Sequence, residues 1–213
     1  MSEEPVIVLG GGGHARVLID TLIINGANIL GVCAPKAVHI SASIPYLGTD
    51  DAILAYAPNT VRLVNGVGSV GPAIAGNLRR GLYERFIARG YRFAKVIHPS
   101  AIISCDVNLA CGVQVMAGAV IQCGTSVGEN SIINTKVSLD HDCVIASHVH
   151  VAPGCTLSGN VALGDFVHVG TGGTLIQGVQ VGRESFIAAG AVVIRNIPEC
   201  VTAVGVPAQI RKH

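Results

Sequence analysis

The sequence predicts a small α/β domain over residues 1–96, followed over residues 97–213 by a parallel β-solenoid with a short C-terminal tail. Two observations carry this prediction. Seventeen consecutive hexapeptides run without insertion from Ile97 to Pro198, and each opens with Ile, Leu or Val. Upstream of Ile97 the repeat stops, and apolar runs alternate with a helical stripe and glycine-rich loops. A fixed period over so many units is typical of a solenoid.

Within each hexapeptide, the position four residues after the opening aliphatic is small or β-branched, and the others carry Gly, Asn, Asp and Ser. These residues suit turns, and a period of six fits no helix. The pattern resembles the hexapeptide-repeat left-handed parallel β-helix, in which three hexapeptides make one triangular coil and the large opening aliphatics form a row that points inward. The left hand comes from this resemblance, because the usual crossover is right-handed. The opening residues are Ile97, Ile103, Leu109, Val115, Ile121, Val127, Ile133, Leu139, Ile145, Val151, Leu157, Leu163, Val169, Leu175, Val181, Ile187 and Val193.

The first 96 residues predict a small parallel, Rossmann-like domain. Strands are expected at 6–9, 29–33 and 61–65, with one helix after the first strand and another over about 72–89. Such alternation is typical of a parallel α/β sheet. A run of arginines in or near the second helix is interpreted as a solvated helix face: Arg79, Arg80, Arg85, Arg89 and Arg92.

The loop after the first strand formally matches a dinucleotide-binding fingerprint, with Gly10, Gly12 and Ala15 in its three places. The acidic residue expected at the end of the second strand is absent, since 33–35 reads Cys-Ala-Pro. The fingerprint therefore does not favour NAD. Backbone N–H groups at a helix N-terminus still suit a phosphate, so a nucleotide diphosphate attached to a sugar fits this loop. A tight turn that binds nothing is the alternative.

Composition excludes several classes. The net charge of +1 gives no general attraction to nucleic acid. No run of eighteen apolar residues exists, so no membrane-spanning helix is expected. Hydrophobic content of 50% with only 13% charged residues is explained by stacked apolar rows and by contacts between subunits. Seven cysteines without a C-x-x-C pair, and a start without the signal-peptide pattern, predict reduced thiols and a cytoplasmic protein.

His141 is the leading candidate for chemistry. It occupies the third place of its hexapeptide, off the inward row, between Asp140 and Asp142. A neighbouring carboxylate can hold one tautomer of an imidazole and raise its basicity, as a general base requires. A surface histidine in a turn with acidic neighbours is an equally compatible interpretation. His150 and His168 are eighteen residues apart, so we expect them to stack on adjacent coils. His148 and His168 are interpreted as polar side chains that only cover the outer wall of the β-helix.

Three segments together carry a family resemblance: GGGGHARVLIDTL, NTKVSLDHDCVIASHVHVAPG and IPECVTAVGVPAQIRK. They resemble bacterial sugar acetyltransferases of the sialic acid O-acetyltransferase group, and among these the nucleotide-sugar 4-amino N-acetyltransferases. The resemblance covers essentially the whole chain. It implies a left-handed β-helix behind a nucleotide-sugar-binding domain, acetyl-CoA as co-substrate, no metal, and a homotrimer with active sites between subunits.

The resemblance also implies roles for particular residues. His141 matches the catalytic base, and Asp142 matches the acidic residue that polarises it, where other members carry Glu. His150 matches a histidine near the acetyl group of acetyl-CoA. Main-chain groups around Gly159, Thr171 and Ala189 match the pantetheine slot. The nucleotide-sugar positions are Gly12, Gly13, His14, Cys33, Asn65 and Gly66. The implied acceptor is the 4-amino group of a nucleotide-linked sugar, with GDP-perosamine as the expected substrate.

Three other functions remain open at this point. A γ-type carbonic anhydrase shares the β-helix, but its metal site needs two histidines five residues apart, and no such pair exists here. O-acetylation of a sialic acid would use the same base on a hydroxyl. A non-catalytic scaffold would leave the glycine-loop domain without a purpose.

Overall fold

The computed structural model describes residues 4–69 and 74–211, with the backbone alone for residues 74–77. The chain divides into two compact units, Met1–Pro99 and Ser100–His213. This division lies three residues beyond the predicted domain boundary.

The first unit is a five-stranded, all-parallel sheet with the strand order β3-β2-β1-β4-β5. The strand order reverses between β1 and β4, where crossovers leave the sheet in opposite directions. The elements are β1 (Val6–Leu9), α1 (Gly13–Ile24), β2 (Ile29–Cys33), β3 (Tyr46–Gly48), a 3₁₀ helix (Asp50–Ala55), β4 (Arg62–Asn65), α2 (Ile74–Ile87), β5 (Arg92–Phe93) and β6 (Val96–Ile97). The predicted start of the second helix near Pro72 lies outside the described residues.

One part of the core of this unit lies between the sheet and α2. Ile7, Leu9 and Leu63 of the central strands are fully buried, and they belong to the same cluster as Phe86 of α2. Tyr91 lies edge-on to Phe86, with ring centroids 5.5 Å apart. Its hydroxyl donates to the Tyr56 carbonyl at 2.7 Å, so this buried phenol keeps a polar partner.

The prediction of a solvated arginine face is wrong for Arg79, which is only 3% exposed. Its guanidinium donates to the carbonyl oxygens of Asn65 at 2.7 Å and Val67 at 2.8 Å. Burial lowers the pKa of Arg79 to about 9. The side chain ties α2 to the loop that follows β4, and helical periodicity contains no signal for such a non-local contact.

The second unit is a left-handed parallel β-helix. Each hexapeptide forms one two-residue strand, and each strand pairs in parallel with the strand eighteen residues away, as Ser138 does with Thr156. The strands are β7 (Ile102–Ile103), β8 (Asn108–Leu109), β9 (Gln114–Val115), β10 (Val120–Ile121), β11 (Ser126–Val127), β12 (Ile132–Ile133), β13 (Ser138–Leu139), β14 (Val144–Ile145), β15 (His150–Val151), β16 (Thr156–Leu157), β17 (Ala162–Leu163), β18 (His168–Val169), β19 (Thr174–Leu175), β20 (Gln180–Val181), β21 (Phe186–Ile187) and β22 (Val192–Val193).

Three faces result. One contains β7, β10, β13, β16, β19 and β22; the second contains β8, β11, β14, β17 and β20; the third contains β9, β12, β15, β18 and β21. The second residue of each strand opens its hexapeptide and points inward, so Val115, Leu139 and Val169 are fully buried. The predicted inward row of large aliphatics is confirmed.

The chain turns at the fourth position of the hexapeptide, where the backbone has a positive φ in almost every repeat. Glycine, Asn and Asp tolerate this conformation, which explains their frequency in the repeat. His148 and Phe166 also adopt it, with φ of 60° and 62°. The expected C-terminal tail is ordered as a hairpin of β23 (Thr202–Val204) and β24 (Gln209–Arg211), and β23 extends the third face beside β21.

Rings stack in ladders along the outside of the third face. His150 meets His168 edge-on with centroids 4.8 Å apart, and His168 stacks on Phe186 at 5.0 Å. At the neighbouring corner His148 stacks on Phe166 at 4.9 Å. The predicted stacking of His150 and His168 is confirmed. The interpretation of His168 as a polar side chain that only covers the outer wall is wrong, because its Nδ1 atom is buried without a hydrogen-bond partner among the described residues.

Neither helix of the described chain is long and apolar enough to cross a membrane.

We expect His168 to make the folded state sensitive to mild acid. Burial lowers the pKa of His168 from 6.5 to about 4. Between these pH values the imidazole therefore binds a proton in the unfolded chain but not in the folded chain. Stability from this group is complete above pH 6.5 and is lost as pH falls toward 4, by no more than roughly 3 kcal/mol. Denaturant unfolding at several pH values, on the wild type and on His168→Phe, measures it. Parallel pH dependence of the two proteins would contradict this expectation.

Candidate active site

His141 and Asp142 form a hydrogen-bonded pair on the turn after β13. The Nδ1 atom of His141 lies 2.8 Å from Oδ2 of Asp142. A carboxylate only accepts, so Nδ1 carries the proton and Nε2 keeps a lone pair. The two side chains are 43% and 59% exposed, so the pair lies at the surface of the β-helix. Asp142 occupies the turn position with a φ of 58°, which an Asp tolerates.

Two glycines frame this pair, one on each neighbouring coil. A Cβ atom at Gly159 would lie 2.4 Å from Nε2 of His141, so the imidazole rests against the bare backbone there. A Cβ atom at Gly124 would lie 2.3 Å from Oδ1 of Asp142. Gly159 is eighteen residues after His141, and Gly124 is eighteen before Asp142. The coil register therefore places each glycine where a larger residue would displace the pair. We call the group of His141, Asp142 and Gly159 the His141 corner.

Negative charge around His141 favours its protonated form. The hydrogen bond that His141 donates to Asp142 is the main cause that raises the pKa of His141 above its ordinary 6.5, and the charge of Asp140 adds to it. Asp140 also accepts the backbone N–H of His141 at 2.8 Å, which fixes the turn. A neutral imidazole with an unusually basic Nε2 can take a proton from an attacking nucleophile.

Cys143 comes directly after Asp142 in the sequence, but its side chain lies inside the β-helix. The thiol is fully buried and donates to the carbonyl of Ser158 at 3.4 Å. Burial raises the pKa of Cys143, so the thiolate is disfavoured. The thiol therefore lies inside the β-helix, and a covalent cysteine intermediate has no support.

His150 lies on the third face, nine residues and so half a coil from His141. Nε2 of His150 is 3.0 Å from Nδ2 of Asn134. Thr171 and Ala189 lie in register at the corner beyond this face, where the Gly190 N–H donates to the Thr171 carbonyl at 2.9 Å. One chain therefore brings His141, Asp142 and Gly159 together, and it holds His150, Thr171 and Ala189 in a separate region.

In the first unit, the glycine loop lies at the carboxyl end of β1, where the strand order reverses. A Cβ atom added at Gly12 or Gly13 would meet nothing within 4 Å, so this backbone faces open space. Gly12 is the N-cap of α1 and makes no side-chain cap bond. The first N–H groups of the helix therefore point toward a position where a phosphate would be stabilised. His14 lies beside Gly68, whose added Cβ atom would be 3.4 Å from the Cβ atom of His14.

The other three predicted nucleotide-sugar positions are largely internal. Cys33 is fully buried, and burial with the nearby charge of Asp50 raises its pKa to about 11. The amide of Asn65 donates to the Arg79 carbonyl at 2.9 Å. A Cβ atom at Gly66 would lie 2.6 Å from the Leu9 carbonyl oxygen, so this loop packs closely against β1. Side chains at these positions support the loop rather than project from it.

Sequence reasoning missed two residues that shape the site, Gly124 and Asn134. Both could have been found from the period, since Gly124 lies one coil before Asp142 and Asn134 lies on the coil before His150. No group of three or more His, Cys, Asp or Glu side chains with metal-binding geometry occurs within residues 4–69 and 74–211.

Both units of the chain are similar to known proteins. Residues 5–85 match the family model of the PglD N-terminal domain. Perosamine N-acetyltransferase from Caulobacter crescentus, solved with CoA and GDP-perosamine, is 33% identical with a TM-score of 0.90. That match covers 100% of this chain and 99% of the other. Structures of that protein include variants with one histidine replaced by asparagine or alanine.

The acetyltransferase domain of PglB from Neisseria gonorrhoeae, solved with acetyl coenzyme A, is 30% identical over 99% of this chain and 100% of that one, with a TM-score of 0.90. A serine acetyltransferase from Buchnera aphidicola is 30% identical over 125 residues, which is 56% of this chain and 41% of that protein. The chain spans less than half the length of the curated relatives it matches.

The similarity to two solved acetyltransferases thus runs over nearly the full length of all three chains and includes both units. The chain has a PglD-type N-terminal domain followed by a β-helix of hexapeptide repeats, which is the organisation that the sequence predicted. The chain belongs to the nucleotide-sugar N-acetyltransferases of the hexapeptide-repeat acyltransferase family.

Proposed function

We propose that the protein transfers the acetyl group of acetyl-CoA to the 4-amino group of a nucleotide-linked sugar, GDP-perosamine, with His141 as the general base. The observation that carries the proposal is the His141–Asp142 pair, which leaves a basic Nε2 atom on a partly exposed side chain at the His141 corner. The CoA and GDP-perosamine bound to the Caulobacter crescentus protein support the choice of substrates.

The transfer needs no covalent enzyme intermediate. The sugar amine attacks the thioester carbonyl carbon, a C–N bond forms, and Nε2 of His141 takes the amine proton. Asp142 stabilises the resulting imidazolium through Nδ1–H. The C–S bond then breaks, and the proton passes from His141 to the departing CoA sulfur. Much of the rate comes from holding both reactants in position.

The separation of His141 from His150 supports a homotrimer with active sites between subunits. The two histidines lie half a coil apart within one chain, so they serve one reaction only if they come from different copies. His150, with the main chain at Thr171 and Ala189, would hold the acetyl group and pantetheine arm beside the His141 corner of a neighbour. Gly159 would contribute its main chain next to the base.

The open backbone at Gly12 and Gly13, together with His14, would receive the diphosphate of the sugar nucleotide. Cys33, Asn65 and Gly66 would contribute through the main chain of the loops they support. All seven cysteines are free thiols, which supports a role in the cytoplasm.

Replacing His141 by Asn should reduce kcat by about 10²- to 10⁴-fold, since the amide keeps a hydrogen bond but cannot take a proton. Binding of both substrates should stay within a few-fold of wild type, measured by isothermal titration calorimetry. His148→Asn is the matched control, because Asn suits the positive φ of that turn. Near-normal turnover in His141→Asn would remove His141 from the base role.

Replacing Asp142 by Asn should move the acid limb of kcat/KM to lower pH. A general base works in its neutral form, so activity falls as pH drops through the pKa of His141. That pKa is raised chiefly by Asp142, and the variant loses this effect. Turnover above the midpoint should also fall at least about tenfold, because the imidazolium loses its carboxylate.

The control for this pH profile is Asp165→Asn, since Asp165 accepts the Ser147 N–H and an Asn oxygen can do the same. An acid limb that stays in place in Asp142→Asn would show that the profile reports another group.

The acceptor is tested by thiol release from acetyl-CoA in the presence of GDP-perosamine, a UDP-linked 4-amino sugar or free sialic acid. We expect fast release with GDP-perosamine. Release with the UDP sugar alone would change the nucleotide, and release with sialic acid alone would change the reaction to O-acetylation. No release with any of them would refute acetyl transfer to these acceptors.

A further inference from the structure

A buried hydroxyl supports the turn of the candidate base from inside the β-helix. This turn covers residues 140–143, and we call it the His141 turn. Thr125 lies one coil earlier and is only 1% exposed. Its hydroxyl donates to the carbonyl of Asp140 at 3.0 Å and accepts the N–H of Cys143 at 3.3 Å. One side chain therefore bridges the two ends of the turn and uses its proton and a lone pair to do so.

Other turns at the same corner close without such a bridge. Two coils earlier, the Val107 N–H donates directly to the carbonyl three residues before it, at 3.2 Å, and two coils later Val179 does the same at 3.4 Å. These are ordinary β-turn hydrogen bonds. In the His141 turn the hydroxyl of Thr125 stands between the corresponding carbonyl and N–H. The ends of this turn are therefore held apart by one oxygen atom.

The sequence of the inward column at this corner shows that the hydroxyl is specific to this level. A buried hydroxyl costs free energy unless it is hydrogen-bonded, so aliphatic residues are the usual choice for such a position. A hydroxyl occurs once in the column, directly under the His141 turn. The column, with its spacing of eighteen residues, consists of Val107, Thr125, Cys143, Val161, Val179 and Ile197.

The width of the turn affects the candidate base because both side chains of the pair stand on its two middle residues. Nδ1 of His141 and Oδ2 of Asp142 are 2.8 Å apart. The pair has little room along the column, since an added Cβ atom at Gly159 or Gly124 would lie 2.4 Å or 2.3 Å from its atoms. A turn that closed further would tilt the two side chains against each other or against these neighbouring coils.

We propose that Thr125 is a positioning residue for acetyl transfer, whose hydroxyl keeps the His141 turn open at the width that the hydrogen-bonded pair of His141 and Asp142 requires. The inference rests on the proposed function for the role of His141 as general base. Thr125 touches no reactant and acts only through the backbone of Asp140 and Cys143. Gly124 and Thr125 are then complementary neighbours, since one leaves room outside for the carboxylate and the other supports the turn from inside.

Thr125→Val tests this role with little change in shape, because a methyl group replaces the hydroxyl. The Asp140 carbonyl and the Cys143 N–H lose their bridge, and the pair loses its fixed geometry. We expect kcat to fall by about 10²-fold with KM for both substrates within a few-fold, as for a misplaced catalytic group. Thr125→Ser keeps the hydroxyl and should retain most of the wild-type kcat. Equal kcat in the valine and serine variants would overturn the inference.

A third variant, Thr125→Cys, keeps the test valid if the valine variant folds poorly. The column already holds a thiol at Cys143, which donates to the Ser158 carbonyl at 3.4 Å, so a thiol fits this interior. A thiol is a weaker donor and acceptor than a hydroxyl. We expect a kcat between those of the serine and valine variants, and a wild-type kcat in the cysteine and valine variants alike would refute the role of the hydroxyl.

Ser185→Ala is the matched control for a general loss of stability. The Ser185 hydroxyl is also 1% exposed, and it bridges another turn in the same way, donating to the Pro198 carbonyl at 2.7 Å and accepting the Val201 N–H at 3.3 Å. Thermal unfolding should occur at a lower temperature in both Ser185→Ala and Thr125→Val, but only the latter should lose kcat. An equal loss of kcat in the control would overturn a specific effect of Thr125.

Nitrogen-15 NMR of histidine-labelled protein reads the pair without any substrate. The hydrogen bond to Asp142 is the main cause that raises the pKa of His141, so the pKa in Thr125→Val should move back toward the ordinary 6.5. Thr125→Ser should titrate like the wild type. An unchanged titration of His141 in Thr125→Val would overturn the inference whatever its kcat.

The same measurements separate this inference from the proposed function. If the titration shifts in Thr125→Val, but this variant and His141→Asn both turn over at the wild-type rate, Thr125 holds the pair and the base role of His141 is refuted. If His141→Asn is inactive while Thr125→Val keeps the wild-type kcat and titration, the base role stands and the role of Thr125 is refuted.

Discussion

Parallel backbone hydrogen bonds hold each residue of the β-helix over the residue eighteen positions earlier in the chain. Inward aliphatic side chains support this register on all three faces, because a shift by one residue would turn them out of the core. The register places Gly159 against the His141 ring and Gly124 against the Asp142 carboxylate. The same register stacks His150, His168 and Phe186. The site is therefore a set of side chains on rigid coils rather than on flexible loops, which suits catalysis that depends on position.

One turn position of the β-helix also serves the proposed chemistry. Every coil must turn sharply three times, and the backbone there favours Gly, Asn and Asp. Asp142 meets that requirement and also provides the carboxylate for His141. Structural and chemical demands coincide at this residue, and the neighbouring glycine of the same column leaves room for its side chain.

The two units contribute different kinds of recognition. In the β-helix, the proposed base and its carboxylate partner are the side chains of His141 and Asp142. In the α/β unit, open backbone at Gly12 and Gly13 lies at the end of β1, and close packing of Gly66 on Leu9 brings the loops after β1 and β4 together. Arg79 fixes the second of these loops from inside the domain. Backbone N–H groups suit a diphosphate, whereas proton transfer requires side chains.

The sequence by itself determined the solenoid, its inward row, the preceding α/β domain and the candidate base, because each is written in local periodicity or in neighbouring residues. His141 and Asp142 are adjacent in the chain, so their pairing needed no tertiary information. Tertiary structure decided the burial of Arg79 and the internal roles of Cys33 and Asn65. Each of these depends on contacts between residues distant in sequence, such as Asn65 with Arg79, and a hydrogen bond of this kind in the α/β unit leaves no pattern in the chain until the fold brings its two partners together.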